Sequence, residues 1–322
     1  MKSQHNLFIR RMKQFTRKFG IVSWRHAQPK IEINSTRSNI WSMFEEELSI
    51  IDEKMESIQT HDIPQLFSRI PLDVFGQMLL DIPSHYPHIK AFFPSMASEE
   101  VQRLWTGAHG EVLMGQSLAF VKTMISGYAA ITGKKIKEAH VLDFGCGWGR
   151  LIRPLYKFTP YENIYAVDPW DESIKECEKH HIKANIALSE WVPKSLPFER
   201  QFDLIFAFSV LTHLSEKTLK IVLQTLRKYI KKDGVLVTTI RPKEYWHIHE
   251  QGSMESEMIK MHNERGFAFT PHNLPPIDGD ITYGDTSISL AYIDSHFQDW
   301  RVESVELNGV DVHQIILFLK PV

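Results

Sequence analysis

The sequence predicts an α/β fold: a seven-stranded sheet, parallel except for a C-terminal antiparallel hairpin, preceded by a helical appendage. Three observations carry that expectation. From Ala139 onward short apolar runs alternate with helical patterns. A strand pattern then runs into glycines at alternate positions, Gly145, Gly147 and Gly149, and near the end Asn308-Gly309 separates two further strand patterns.

The elements follow in chain order. From Met1 to Lys30 there are eight Lys or Arg residues and no acid, and Phe8, Met12, Phe15 and Phe19 share one helical stripe. Such an arm reads as a helix lying on anionic lipid, a transit-type presequence, or a segment docked elsewhere on the protein. Residues 37–82 read as helical, with Ile40, Met43, Phe44, Leu48 and Ile51 on one face and breaks near Pro64, Pro71 and Pro83. Residues 1–95 are therefore expected to form the basic arm and helical appendage, and 96–322 the main domain. Helical runs through Leu104 and over 113–125 enter that domain. Strands are expected at 140–144, 164–167, 184–188, 202–208 and 235–239, with helices at 150–158, 172–181 and 216–231 between them. The unbroken apolar run Leu204-Ile205-Phe206-Ala207-Phe208 suits a strand buried on both faces. An irregular insertion is expected over about 242–285, then a helix at 290–297 and strands at 301–307 and 313–319.

Composition narrows the function classes. Of 322 residues 43% are hydrophobic and 24% charged, with a formal net charge of −2. That is an ordinary globular balance with no broad field to attract nucleic acid. Two cysteines, Cys146 and Cys177, speak against a disulfide framework and for a reducing compartment. No apolar run is long enough to span a bilayer. A cytoplasmic protein is expected, with the basic arm as a peripheral contact to the inner membrane face. Oligomeric state is not legible in the sequence.

The stretch Val141-Leu142-Asp143-Phe144-Gly145-Cys146-Gly147-Trp148-Gly149-Arg150 is the informative one. Glycine serves where a chain turns sharply and where backbone must approach a ligand, and backbone N–H groups at a strand-to-helix turn form a polar cradle. A dinucleotide fingerprint places glycines at relative positions 0, 2 and 5; here they fall at 0, 2 and 4, with Asp143 two residues before the first. One strand and helix later, Asp168 ends the strand pattern Ile164-Tyr165-Ala166-Val167, where a carboxylate accepts ribose hydroxyls. Trp170 is placed to lie against an adenine ring, or else is a plain loop aromatic.

The acceptor side is expected at the C-terminal ends of the fourth and fifth strands. His213 in Val210-Leu211-Thr212-His213-Leu214 is a candidate general base, or a residue that shapes the site or caps the next helix. Ser209 is a candidate for the cofactor pocket. Arg241, Tyr245, Trp246 and His247 are candidates for an acceptor wall, with aromatics for a ring and a cation for an anion. His247, His249, His262 and His272 have no carboxylate or Cys partner at a diagnostic spacing, so no metal is expected. Trp105 to Gly110 reads as part of a lid or as a helix break.

The ordered set of motifs resembles the class I S-adenosylmethionine (SAM) dependent methyltransferases, a Rossmann-like superfamily. The resemblance implies SAM as cofactor and S-adenosylhomocysteine as product. It also places Asp143 toward the methionine end of SAM, the glycines Gly145, Gly147 and Gly149 beneath it, and Ser189, at the end of the third strand, toward adenine. Leu104-Trp105-Thr106-Gly107, Gln116-Ser117-Leu118-Ala119-Phe120, Val167-Asp168-Pro169-Trp170, Thr212-His213-Leu214-Ser215 and Tyr283-Gly284-Asp285-Thr286 further look like a bacterial group linked to glycans and cell-surface metabolites. That resemblance implies a small or medium-sized acceptor, such as a sugar hydroxyl. RNA or protein methylation and a non-catalytic SAM-binding scaffold are the alternatives.

Overall fold

The computed structural model describes residues 42–249, 252–309, 311 and 313–322. The basic arm, with its stripe of Phe8, Met12, Phe15 and Phe19, lies outside them. The chain leads in through α1 (Glu45–Met55), α2 (Leu72–Leu80), α3 (Pro87–Phe92), α4 (Glu99–Thr106) and the long α5 (Gly110–Thr132). Strand β1 (Val141–Phe144) and the short α6 (Ile152–Leu155) follow, then β2 (Ile164–Asp168), α7 (Asp171–Lys179), β3 (Asn185–Leu188), β4 (Phe202–Ala207), α8 (Glu216–Tyr229) and β5 (Ile230–Ile240). After β5 come α9 (Trp246–His249), α10 (Ser253–Arg265), β6 (Phe267–Pro271), β7 (Gly284–Ile288), α11 (Leu290–His296), β8 (Trp300–Leu307) and β9 (Ile315–Pro321).

The main sheet has seven strands in the order β3-β2-β1-β4-β5-β9-β8. The β1–β5 pairs are parallel, and β9 pairs antiparallel with β5 and β8. The order reverses between β1 and β4, so a crevice opens outside their C-terminal ends. On one face Leu204 and Phe206 of β4 join Phe120, Val121 and Met124 of α5. On the other, Ile205 and Ala207 join Leu219, Val222 and Leu226 of α8. Residues this fully buried contribute roughly 1.5–3 kcal/mol each as an upper bound. α8 begins on Ser215, whose hydroxyl accepts from the Thr218 N–H at 3.2 Å.

The leading helices share the core of the first face. Phe75 of α2 meets Phe67 and Phe93 edge-on at 5.3 Å, and these residues belong to the same apolar cluster as Val141 and Phe318. Two buried cations stitch the segments together. Lys157 Nζ donates to the Phe67 carbonyl at 2.6 Å, and Arg153 donates to the carbonyls of Ser95, Trp148 and Gly149 at 2.6–2.9 Å.

Three expectations change. The helix expected at 150–158 is reduced to four residues, because Pro154 and Pro160 curtail the amide ladder and turns take over. Among the described residues, the insertion after β5 holds α10 and an antiparallel β6–β7 pair. Its helix buries only Met258 and His262, too few apolar positions to leave a periodic signal. Asn308-Gly309 does not form a two-residue turn. The link between β8 and β9 runs from 308 to 314, with Asp311 N–H bonded to Asn308 Oδ1 at 3.3 Å.

Candidate active site

The glycine loop leaves β1 beside β2. Gly145 and Cys146 donate their N–H groups to the Val167 carbonyl at 2.8 and 3.1 Å. Gly145 sits at φ 84°, and a Cβ there would come 2.5 Å from Val210. Gly147 is the opposite case. Its φ is 54°, and a Cβ would meet nothing within 4 Å, so its backbone borders open space. Its N–H donates to Asp168 Oδ2 at 2.9 Å, while Trp170 N–H donates to Oδ1 at 2.9 Å. Each Asp168 oxygen keeps acceptor capacity. Burial raises the Asp168 carboxyl, and the Trp170 and Gly147 amides oppose that rise.

Asp143 is 2% exposed, and its Oδ2 has no hydrogen-bond partner among the described residues. Burial, then repulsion from Asp168, holds its carboxyl well above the usual range, with Arg150 opposing. A cation brought to this oxygen relieves both effects. Ser189 donates its N–H to the Asp168 carbonyl at 3.0 Å, and its buried hydroxyl has no partner among the described residues. Trp170 packs against Trp105 of α4 with centroids 4.5 Å apart and the rings tilted by 34°, so the segment read as a lid covers the end of β2. Ser209, just past β4, is a non-glycine residue at φ 57°. Its N–H donates to Thr239 Oγ1 at 2.8 Å, and its hydroxyl receives Gln314 Nε2 at 3.1 Å. The structure thus brings Asp143, Gly145, Gly147, Gly149, Asp168, Trp170, Ser189 and Ser209 to one end of the sheet.

The acceptor side differs from the sequence expectation. Trp246 is 0% exposed. It packs with Met258 and Ala268, and its Nε1 donates to Ser287 Oγ at 2.7 Å. A core residue offers no wall. His247 turns outward to Glu255 at 2.7 Å. Arg241 is buried and donates to Asp285 Oδ1 at 2.6 Å and the Thr212 carbonyl at 3.0 Å, so its charge is already matched. Tyr245 donates to the same carboxylate at 2.9 Å, and its ring carries the Arg241 guanidinium at 4.1 Å.

His213 is closed on both nitrogens. The Gly284 carbonyl, 2.7 Å from Nδ1, only accepts, so Nδ1 carries the proton. Nε2 then accepts from Arg241 at 3.1 Å. Burial, followed by the Arg241 charge, pushes the His213 pKa down to about 3. As placed, the ring shapes the site, with Tyr283 stacked on it at 5.0 Å and 7°, and has no lone pair left for a substrate.

The hub of this side is Asp285, to which the sequence reading gave no role. His272 Nε2 lies 2.7 Å and His249 Nε2 2.9 Å from its Oδ2. Burial works to raise this carboxyl, and His249, His272, His213 and Arg241 overcome it and hold it well below the usual range. The motif Tyr283-Gly284-Asp285-Thr286 was the available signal, but a lone acid in an insertion names no partner until the β6–β7 pair folds back.

His213 gives stability a pH dependence. Its folded pKa lies below the unfolded value of 6.5, so between about 3 and 6.5 the unfolded chain binds the extra proton. Stability from this group is complete above 6.5 and falls by about 1.4 kcal/mol per pH unit below it. Urea unfolding of the wild type at pH 6.5 and 5 is expected to show this loss. His213→Asn, whose amide can still donate to Gly284, is expected to flatten the profile by about 2 kcal/mol. Equal slopes would remove His213 as the source.

Comparison with known proteins finds relatives for part of the chain. Residues 141–234 match a family model described as a methyltransferase domain. Over these residues the chain is similar to a methyltransferase domain. The chain is 23% identical over 171 residues to O-methyltransferase 3 of Dictyostelium discoideum, covering 51% of this chain and 37% of that protein. It is 27% identical over 134 residues to the malonyl-[acyl-carrier protein] O-methyltransferase of Halalkalibacterium halodurans, covering 39% and 48%. The chain thus spans less than half the length of these relatives. A solved SAM-dependent methyltransferase from Clostridium acetobutylicum aligns with 13% identity and a TM-score of 0.44, covering 68% of this chain and 95% of that one.

Proposed function

We propose that the chain is a SAM-dependent methyltransferase acting on a hydroxyl of a small or medium-sized acceptor, namely a sugar hydroxyl of a glycan or glycolipid precursor. The observation that carries the proposal is the unpartnered Asp143 Oδ2 beside the open Gly147 backbone, with Asp168 one strand away. SAM has no pyrophosphate but does carry two cationic centres, which suits a carboxylate-lined cradle. When bound, SAM supplies an electrophilic methyl group on its sulfonium. Asp168 accepts from the ribose, Ser189 offers a hydroxyl toward adenine, and Asp143 receives the ammonium.

Transfer to a hydroxyl also needs a proton acceptor near the methyl group. With His213 closed, His249 and His272 on Asp285 are the imidazoles that serve this role. His249 is the more exposed of the two, with 39% of its side chain accessible against 12% for His272. Its ring stacks on Tyr245 at 4.8 Å and 21°, forming an aromatic shelf for a polyhydroxylated ring. Both relatives named above are O-methyltransferases by name, which supports oxygen as the methylated atom.

The test is methyl transfer from isotopically labelled SAM to a panel of sugars, nucleotide-linked sugars, phenols, carboxylic acids, total RNA and basic protein. Label on a sugar hydroxyl, about a hundredfold weaker in His249→Ala, supports the reading. Label only on RNA, protein or carboxylate refutes it, as does tight SAM binding with no transfer to any member.

A further inference from the structure

Gln314 has no part in the assignment above, yet it carries a buried acceptor that nothing in the protein fills. The residue is 6% exposed, and its Oε1 has no hydrogen-bond partner among the described residues. Its Nε2 donates to Ser209 Oγ at 3.1 Å, which fixes the amide and leaves the oxygen open. Ser209 Oγ also lies 3.2 Å from Thr212 Oγ1, so its own proton has an acceptor. An amide carbonyl buried without a donor is costly, and a ligand that brings a donor removes the cost.

The fold puts this oxygen between the two halves of the site. Gln314 stands just before Ile315, which pairs with Ile240 at the C-terminal end of β5, and its side chain reaches Ser209 at the tip of β4. Ser209 is held at φ 57° by its N–H bond to Thr239, a left-handed conformation that is unfavourable for a non-glycine residue and clusters at functional sites. One residue before Gln314, the His313 ring lies edge-on to Tyr245 at 6.2 Å, and Tyr245 in turn stacks on His249. The backbone here is pinned: Gln314 N–H donates to the Asp311 carbonyl at 3.0 Å, and His313 N–H to Asp311 Oδ1 at 3.2 Å. We propose that Gln314 determines acceptor specificity, its Oε1 accepting from a second hydroxyl on the carbon beside the one methylated. The proposal rests on the hydroxyl-acceptor reading above and narrows it to vicinal diols. The methylated hydroxyl gives its proton to the His249 side, so the oxygen on the Ser209 side needs a different donor. An acceptor without that donor leaves Oε1 buried and unpaired, and is rejected for that reason.

Steady-state methyl transfer by the full-length protein tests this with three acceptors. They are the sugar that takes label in the panel above, its analogue deoxygenated at the neighbouring carbon, and its analogue with fluorine there. Fluorine keeps the polarity of the position but cannot donate. Wild-type kcat/KM is expected to be about thirtyfold lower for both analogues, the loss of one donor to a buried acceptor. Gln314→Leu is expected to bring the parent sugar down to the level of the analogues, with S-adenosylhomocysteine affinity within about twofold of wild type. Gln314→Glu, which still presents an acceptor, is expected to keep the preference for the parent sugar. Wild-type protein that uses the parent and the deoxy sugar equally well overturns the proposal, and so does a fluorinated analogue as good as the parent. A Gln314→Leu variant that slows all three acceptors alike overturns it too, because that pattern marks a packing role. Label on another acceptor class refutes the sugar reading alone, and the same comparison on that acceptor, with and without a neighbouring donor, then decides the role of Gln314. No transfer to any member of the panel refutes both.

Discussion

Asp168→Ala is expected to weaken S-adenosylhomocysteine binding by at least about a hundredfold, the loss of two hydrogen bonds to a charged acceptor. The carboxylate stands at two levels of the structure. Within the protein it ties the Gly147 and Trp170 amides together, and so fixes the loop glycine at which a Cβ would meet nothing within 4 Å. Toward the ligand, its remaining lone pairs are the acceptors for a ribose. Asp168→Asn separates the two. Its carbonyl oxygen can still accept from one amide, but its NH2 faces the other N–H, so an intermediate loss is expected. Calorimetry with S-adenosylhomocysteine reads the affinities, and the melting transition reports on the loop. Unchanged affinity in Asp168→Ala would place the ribose elsewhere and break the proposed geometry of the cradle.

The cradle was legible in the sequence because its parts are local. Gly145, Gly147 and Gly149 sit on one turn, Asp168 ends β2, and Asp143 lies one residue before the end of β1, each in a strand whose apolar run announces it. Parallel pairing of adjacent strands then brings the two acids together without further information. The acceptor side obeyed no such rule. Trp246 and His247 are neighbours in sequence, yet one enters a small core and the other faces Glu255, because a short helix turns successive residues by 100°. Asp285 gained its meaning only from contacts 13 to 72 residues away in sequence, with His272, His249, Tyr245, Arg241 and His213. The β6–β7 pair that delivers it has no tight-turn signature, since the link spans 272–283. His213 shows the same limit. Its spacing marks a residue at the tip of β4, but whether its lone pair is free depends on Arg241, 28 residues on.

Asp285→Ala is expected to be the most destabilising single change on the acceptor side, by about 3–5 kcal/mol. The residue is 3% exposed, and its side chain supplies the acceptor for the Arg241 guanidinium, the Tyr245 hydroxyl and two imidazoles. Truncation leaves Arg241 charged and buried, with the Thr212 carbonyl and His213 as its remaining hydrogen-bond partners among the described residues. A buried ion pair contributes little when compared with an apolar replacement of both partners, and much when one partner is removed. The double variant Arg241→Met/Asp285→Leu is therefore expected to be more stable than Asp285→Ala alone, with a coupling of about 1–3 kcal/mol in the double-mutant cycle. Urea unfolding measures these differences. In both variants S-adenosylhomocysteine affinity is expected to stay within about threefold of wild type, since among the described residues no hydrogen bond or ion pair joins Asp285 to the glycine loop, while methyl transfer is expected to disappear with the acceptor of the His249 and His272 protons. If the variants lost cofactor affinity to the same degree as stability, the two halves of the site would be one cooperative unit, and the division into a cradle and a separate proton-accepting hub would fail.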